Sequence, residues 1–446
     1  MKLRSILKVC ALLFAAGAVL AACTKSDTET SPTEYAVVIY GMAGGHMDDL
    51  IEGIWEEIQT VLPDRKVRVF CCYKYGDGGE DFKGNYGNRG ELLTFELERD
   101  TDLSKLRDYG LRDSSFTLFN PENLAEVLAW AQIQAEPSKG CVLTFYGHGG
   151  GFDATQDFPK GLYGVVSPAT KGVLLDEWFK YKVGMNMYEI ARAIERSGVG
   201  HLAGIMFHNC LMGNIEWLAE LTPYTDYFIA TPFLLTTNNE PLIPYLVKNL
   251  PGRSFEDAAR RTIQESKDRM TDGLRIDDTD GYPGNVELLK SSCLTQVCKA
   301  AKALAFRLCE LYPTQREVID NATCKVYRFY NGSPLFDLLD YARILARETD
   351  DRQLKTIASE MERAFGEAIL EQITVDFGTS PALDSYSLSV VLMNREVFNS
   401  SPTLGLFSYR QAYLYSTFHQ YTGWGTWLDT NLQPPTDNPC GQTVED

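Results

Sequence analysis

Histidine is scarce in this chain, five in 446 residues, and its spacing excludes more than its number does. His46, His148, His201, His208 and His419 form no HExxH or other ligand pattern, so no metal site is expected from them. Positive charge is short as well. Lysine and arginine total 42 against 60 aspartates and glutamates, a formal charge of −18 with pI near 4.8, which argues against a nucleic-acid partner. The glycines after the first apolar run, Gly41 to Gly45, lack both the dinucleotide fingerprint and the Walker spacing, and no lysine follows. Eleven cysteines include Cys10 and Cys23 near the N-terminus. The odd number left is too sparse for a disulfide scaffold, and at least one must stay unpaired within a monomer. Hydrophobic residues at 44% and aromatics at 11% give a folded protein of one large domain or two ordinary ones.

The first residues stand apart from the fold. Lys2 and Arg4 precede a largely apolar stretch, Ile6 to Val19, too short for a comfortable membrane span, and Leu20-Ala21-Ala22-Cys23 closes it. This resembles a bacterial lipoprotein signal, which implies removal of residues 1–22 and diacylation of Cys23. Residues 23–34, polar and ended by Pro32 to Glu34, read as a tether. Position 24 is not aspartate, which by resemblance to Gram-negative lipoproteins disfavours inner-membrane retention. Lys25, Asp27 and Glu29 resemble a surface-export tag. The expectation is an outer-membrane or cell-surface lipoprotein of a Gram-negative bacterium, with the membrane as one partner.

From Tyr35 the pattern alternates. Buried strands are expected at Tyr35 to Tyr40, Val67 to Tyr73, Cys141 to Tyr146, Leu202 to Phe207 and Tyr227 to Thr231, each an apolar run. Helical spacing fills the intervals, as at Asp48 to Val61 and in the Asn120-capped helix to Ala135, which implies an α/β fold with a mostly parallel sheet and helices on both faces. Phe152 to Gly184 is a polar surface insertion. Further helices are expected at Ser291 to Leu311, Leu335 to Ala346, Arg352 to Leu370 and Tyr409 to Tyr421, with strands at Ile373 to Phe377 and Ser387 to Leu392. The division is placed at 35–285 for a first domain and 286–446 for a C-terminal α/β subdomain packed on it.

Two strands end in residues that do chemistry. Cys141 to Tyr146 leads into Gly147-His148-Gly149, and Leu202 to Phe207 leads into His208-Asn209-Cys210. A lone cysteine at a strand end is more often a small core residue, and a lone histidine is as often structural as catalytic. Their joint appearance at the carboxyl ends of successive parallel strands, where ligands bind in open α/β sheets, points to a thiol nucleophile with its own base. The amides of Gly149 and Cys210 could serve a developing oxyanion. A helix expected to begin near Met212 would favour the thiolate through its dipole.

HG within a glycine run, then a strand ending in CLMG and followed by a helix, resembles the clostripain family of cysteine peptidases. YAVVIYGMAGGHMDDLIE, SYSLSVVLMNR and the terminal TGWGTWL resemble other segments of that family. The resemblance implies a caspase-like three-layer sandwich, a peptide or protein substrate, the catalytic histidine at His148 and the nucleophile at Cys210. It also carries the calcium dependence of some members, although the residues themselves call for no cofactor. The family commonly has aspartate two positions before the cysteine, in a pocket for basic side chains, and a Ser-Glu pair after the next strand. Here those positions hold His208 and Thr231-Pro232, so His208, Asn209 and Thr231 are the candidate pocket residues and a preference for arginine is in doubt. His208 could be a second titrating group or a structural one. The competing class is a caspase-like surface lipoprotein that binds peptides or proteins without turnover.

Overall fold

The computed structural model describes residues 32–430 except 43, 45–46, 64, 77–81, 114, 153–172, 176–183, 236–241, 278–283, 330–332, 376–386, 394 and 400–408. Its centre is a sheet that grows from β1 (Tyr35–Met42), whose residues are all buried. Along β1, Ala36, Val38, Tyr40 and Met42 enter one hydrophobic cluster, while Tyr35, Val37 and Ile39 enter another. A strand that buries both faces in this way must be central in a three-layer arrangement.

The other strands are β2 (Val67–Lys74), β3 (Leu92–Leu97), β4 (Cys141–Gly149), β5 (Val173–Leu175), β6 (Gly204–His208), β7 (Tyr227–Ala230), β8 (Gly284–Lys290), β9 (Leu335–Asp337), β10 (Ile369–Val375) and β11 (Ser389–Val391). The main sheet runs β10-β8-β7-β6-β4-β1-β2-β3, with β5 added to the end of β4. The core of the sheet is parallel, from β2 through β1, β4 and β6 to β7. Antiparallel strands flank it: β3 on β2, β8 on β7 and β10 on β8. Strands β9 and β11 form a separate antiparallel pair.

Helices cover both faces. On one lie α1 (Met47–Val61), and, after β7, α5 (Leu242–Asn249) and α6 (Phe255–Asp277). The other carries α2 (Pro121–Ala135), α3 (Met187–Ser197), α4 (Ile215–Leu221), α7 (Ser291–Thr323), α8 (Leu338–Glu348) and α9 (Arg352–Ala368). Caps set several boundaries: Asn120 accepts from the amide of Glu122, and Asn186 with Glu189 forms a reciprocal capping box that starts α3.

Several expected elements shift. Leu335 to Asp337 is a strand, because it pairs with β11; Asp337 then accepts from the amide of Asp340 and opens α8. The helix from Ser291 continues past Leu311 to Thr323 through a kink at Gln315, two residues after Pro313. Strand β10 starts at Ile369, in what reads as the end of a helix. The stretch from Tyr409 breaks at Ser416, whose hydroxyl caps the next helix through the amide of His419. Strand β8 has no counterpart in the expected elements, and the division expected at 285/286 falls inside it. Among the described residues no helix is long and apolar enough to cross a membrane; Cys23 and the segment before it lie outside them.

Candidate active site

Strands β4 and β6 are neighbours in parallel register, and their last pair is Tyr146 with His208. Beyond that pair β4 runs on to Gly149, while β6 stops. Gly147 takes φ 132° and Gly151 φ 55°, conformations that side chains rarely adopt, so glycine lets this strand end turn over the sheet. His148 lies in this turning end of β4, half-buried, and β5 pairs with it: His148 opposite Leu175, Gly149 opposite Val173. The insertion expected to be a surface excursion thus returns to the histidine.

Cys210 follows β6 by two residues and is half-buried. Leu211 next to it has φ 61°, a left-handed turn that reverses the chain. The reversal is docked on the segment after β7: the Leu211 amide donates to the Phe233 carbonyl (2.8 Å), and the Gly213 amide to that of Thr231 (2.6 Å). A Cβ at Gly213 would lie 2.5 Å from the nitrogen of Pro232. From the same segment the Leu235 amide donates to Cys210 Sγ at 3.2 Å, and Sγ lies 3.9 Å from the Leu235 carbonyl oxygen.

The two turns touch. A Cβ on Gly149 would sit 3.2 Å from the Cys210 amide nitrogen, 2.8 Å from Asn209 Cβ, and well inside contact distance of the Cys210 carbonyl oxygen. Asn209 is 1% exposed, and its Nδ2 donates to the carbonyls of Gly147 (2.8 Å) and His148 (3.3 Å), while its Oδ1 has no partner.

The helix after Cys210 departs from expectation. It begins at Ile215, where the Asn214 side chain caps it by accepting from the Trp217 amide. That start is several residues past the thiol, and the backbone donor at Sγ is the Leu235 amide instead of a helix end.

All three expected pocket residues are buried. His208, 4% exposed, stacks on Tyr146 with ring centroids 5.4 Å apart. Tyr146 donates to the Met47 carbonyl (3.2 Å), and burial with Asp48 and Asp49 beside it holds its phenol well above the usual range. Tyr73 stands 6.1 Å further on and donates to Asp48 Oδ1 at 2.7 Å. Thr231 accepts from the Phe233 amide through its hydroxyl (3.1 Å). Asn209 spends its donors inside the protein, as described above.

Sequence reasoning missed the acids that hold the neighbouring loop at this edge. Glu52 of α1 accepts from the Tyr75 hydroxyl (2.7 Å) and the amides of Asn85 (2.8 Å) and Tyr86 (2.7 Å), and Asp48 lies within 3.4 Å of the Gly76 amide. The signal was available: acids one turn apart in an otherwise apolar helix face are rarely buried unless paired.

The other described histidines have different work. His201 is exposed beside Asp226 (3.1 Å), and His419 Nδ1 accepts from the Gly425 amide (2.9 Å), with burial lowering its pKa. Burial pushes the thiols of Cys72, Cys141 and Cys298 up to about 12 and raises that of Cys71 well above its ordinary value, so these stay protonated. Cys71 and Cys72 face opposite clusters, as alternation requires. Cys324 is disulfide-bonded. Among the described residues no three His, Cys, Asp or Glu side chains gather as a metal would need.

The model of the clostripain family matches residues 96–390. Among curated proteins none matches significantly. An inactive zymogen C11 protease from Parabacteroides distasonis is 14% identical, with 88% of this chain and 99% of that one covered and a TM-score of 0.56. A secreted C11 cysteine protease from Bacteroides thetaiotaomicron has the same identity and coverage with a TM-score of 0.57. A secreted C11 cysteine protease of Bacteroides thetaiotaomicron in complex with an irreversible peptide inhibitor is 13% identical, with the same coverage and a TM-score of 0.55. At these identities the likeness to the solved structures is one of fold.

Proposed function

We propose, from the premise that this chain belongs to the clostripain family of cysteine peptidases, that it cuts peptide bonds with Cys210 as nucleophile and His148 as base. The observation that carries the reading is the contact of the two turns: the residue after His148 packs directly on the backbone of Cys210. In the reaction His148 takes the thiol proton and Sγ attacks the scissile carbonyl carbon. The amides of Gly149 and Cys210 stabilise the oxyanion, and the imidazolium returns its proton to the leaving amine. Water activated by His148 then cleaves the thioester and frees the thiol. The Leu235 N–H at Sγ favours the anion before attack, since a donor aimed at a charged sulfur is worth more than one aimed at a neutral one.

The substrate is a peptide or protein segment with no requirement for arginine or lysine before the cut, because His208 stands where the family default has an acid. The enzyme is held at the outer membrane or cell surface through a diacylated Cys23. Calcium is left as an assayable dependence.

The test is turnover of a peptide library by the chain lacking residues 1–23, with Cys210→Ala and His148→Ala beside it. Both variants should lose activity by about 10³-fold or more, because members of one catalytic unit are not additive. A peptide acyloxymethyl ketone should label Cys210 alone. Full activity in Cys210→Ala would give the nucleophile's role to another group, whereas no turnover by the parent together with no labelling by any such peptide would move the protein to the class of peptide-binding lipoproteins.

A further inference from the structure

We propose that Asn209 is a positioning residue that locks the turn bearing His148 to the turn bearing Cys210. The proposal rests on the reading of that histidine and cysteine as base and nucleophile. Its physical origin is the unequal length of the two strands. The parallel ladder between β4 and β6 ends with Tyr146 and His208, but β4 continues through Gly147, His148 and Gly149. The carbonyls of Gly147 and His148 therefore lie past the last residue of β6, and the β4–β6 ladder does not extend to them.

The Asn209 carboxamide takes over from the ladder. Its Nδ2 donates to both carbonyls, at 2.8 and 3.3 Å, so one side chain continues the inter-strand bonding for the two residues that carry the base. Both donors on one nitrogen fix which way the amide faces, because a flipped amide would set Oδ1 against a carbonyl oxygen. The orientation leaves Oδ1 buried with no partner, a loss that stability alone would not select. What the arrangement gains is distance control. Asn209 is covalently next to Cys210 and bonded to the backbone of His148, so it ties the backbones that carry nucleophile and base. Gly149 completes the fit, since any Cβ there would meet Asn209 Cβ at 2.8 Å.

The experiment compares Asn209→Ala, Asn209→Ser and Asn209→Asp with the parent, each checked for native circular dichroism. It reads kcat and KM on the best library peptide, and the rate of Cys210 alkylation by iodoacetamide against pH. In Asn209→Ala kcat should fall about 10- to 100-fold with KM little changed, the size expected when reacting groups drift by about an ångström. Alkylation near pH 7 should slow and its midpoint should move toward that of an ordinary thiol. Asn209→Ser, too short to reach both carbonyls, should behave like the alanine variant. Asn209→Asp should be worse than alanine at neutral pH and recover in part at acid pH, where a protonated carboxyl can donate once. Parental kcat and parental alkylation in Asn209→Ala overturn the proposal, as does a loss that merely tracks the unfolded fraction. Failure of the underlying reading looks different: Cys210→Ala then keeps its turnover, whatever Asn209 does.

Discussion

Gly149 and Cys210 share one small space, with no room between them for a methyl group: a Cβ on the glycine would come within 3.2 Å of the cysteine's amide nitrogen and closer still to its carbonyl oxygen. Both neighbours are backbone, which cannot swing aside. Gly149→Ala must therefore push the His148 turn away from Cys210 or distort both. Overpacking of this kind costs roughly 1–3 kcal/mol of stability, and kcat/KM should fall by about 100-fold or more, since the two proposed oxyanion amides belong to these residues. Melting temperature and a fluorogenic peptide assay read the two effects. A variant with parental kcat/KM would remove the contact from the mechanism.

The parallel core was legible in the sequence because its strands are buried on both faces, so Tyr35 to Tyr40 and Cys141 to Tyr146 are largely apolar, with Thr144 the polar exception. That same logic hid β8. Its residues include Asn285 and Glu287, both fully buried, and polar residues beside an acidic loop read as a boundary. His148 and Cys210 were visible as residue types at strand ends. Their supports were not: the Leu235 amide comes from a segment 25 residues away, and a backbone donor leaves no mark in side-chain identity. The start of α4 was misjudged because Leu211, Met212 and Gly213 look like a helix entry, whereas the left-handed Leu211 and the Asn214 cap delay it to Ile215.

His208 stacks on Tyr146 on the strand that leads to Cys210, and in the proposed reading its ring stands where the family default has an acid. Cleavage profiling of the parent should show no preference for arginine or lysine before the cut bond. His208→Asp should raise kcat/KM for an arginine peptide relative to a leucine peptide by about 10-fold, equivalent to ~1.4 kcal/mol of transition-state discrimination. Its stability should drop, because Asp48 already lies beside the Tyr73 and Tyr146 rings and a second buried acid is repelled. A parent already selective for arginine would refute the assignment of His208.

The proposed anchor should be separable from catalysis. If Cys23 carries the lipid, Cys23→Ser should leave the membrane fraction, while peptide turnover per molecule stays at the parental level. Retention of the variant on membranes after a carbonate wash would show that another feature holds it there.

Glu287 gives the protein a stability that declines with alkalinity. It lies opposite Ala230 at the end of β7, one residue before the segment that reaches Cys210. Its Oε1 accepts from Gln372 Nε2 at 2.6 Å, and its Oε2 has no partner. Burial pushes its pKa up to about 8 from 4.5, and the negative charge of Asp337 adds to the rise despite the opposing hydrogen bond from Gln372. The folded state therefore holds a proton that the unfolded chain releases. Stability from this group is complete below about 4.5 and is lost as pH climbs to about 8, with a limiting slope of about 1.4 kcal/mol per pH unit. Burial raises Glu189 and Glu216 to about 7 and Asp337 to about 6, which adds slope of the same sign. Glu287→Gln removes one titration while keeping the shape, and its amide nitrogen can stand where Oε2 stands now. Chemical denaturation between pH 5 and 9 should show the variant gaining on the parent as pH rises, by on the order of 4 kcal/mol across that window. Parallel curves for the two proteins would mean that Glu287 is ionised in the native state throughout, with a partner for Oε2 such as a buried water.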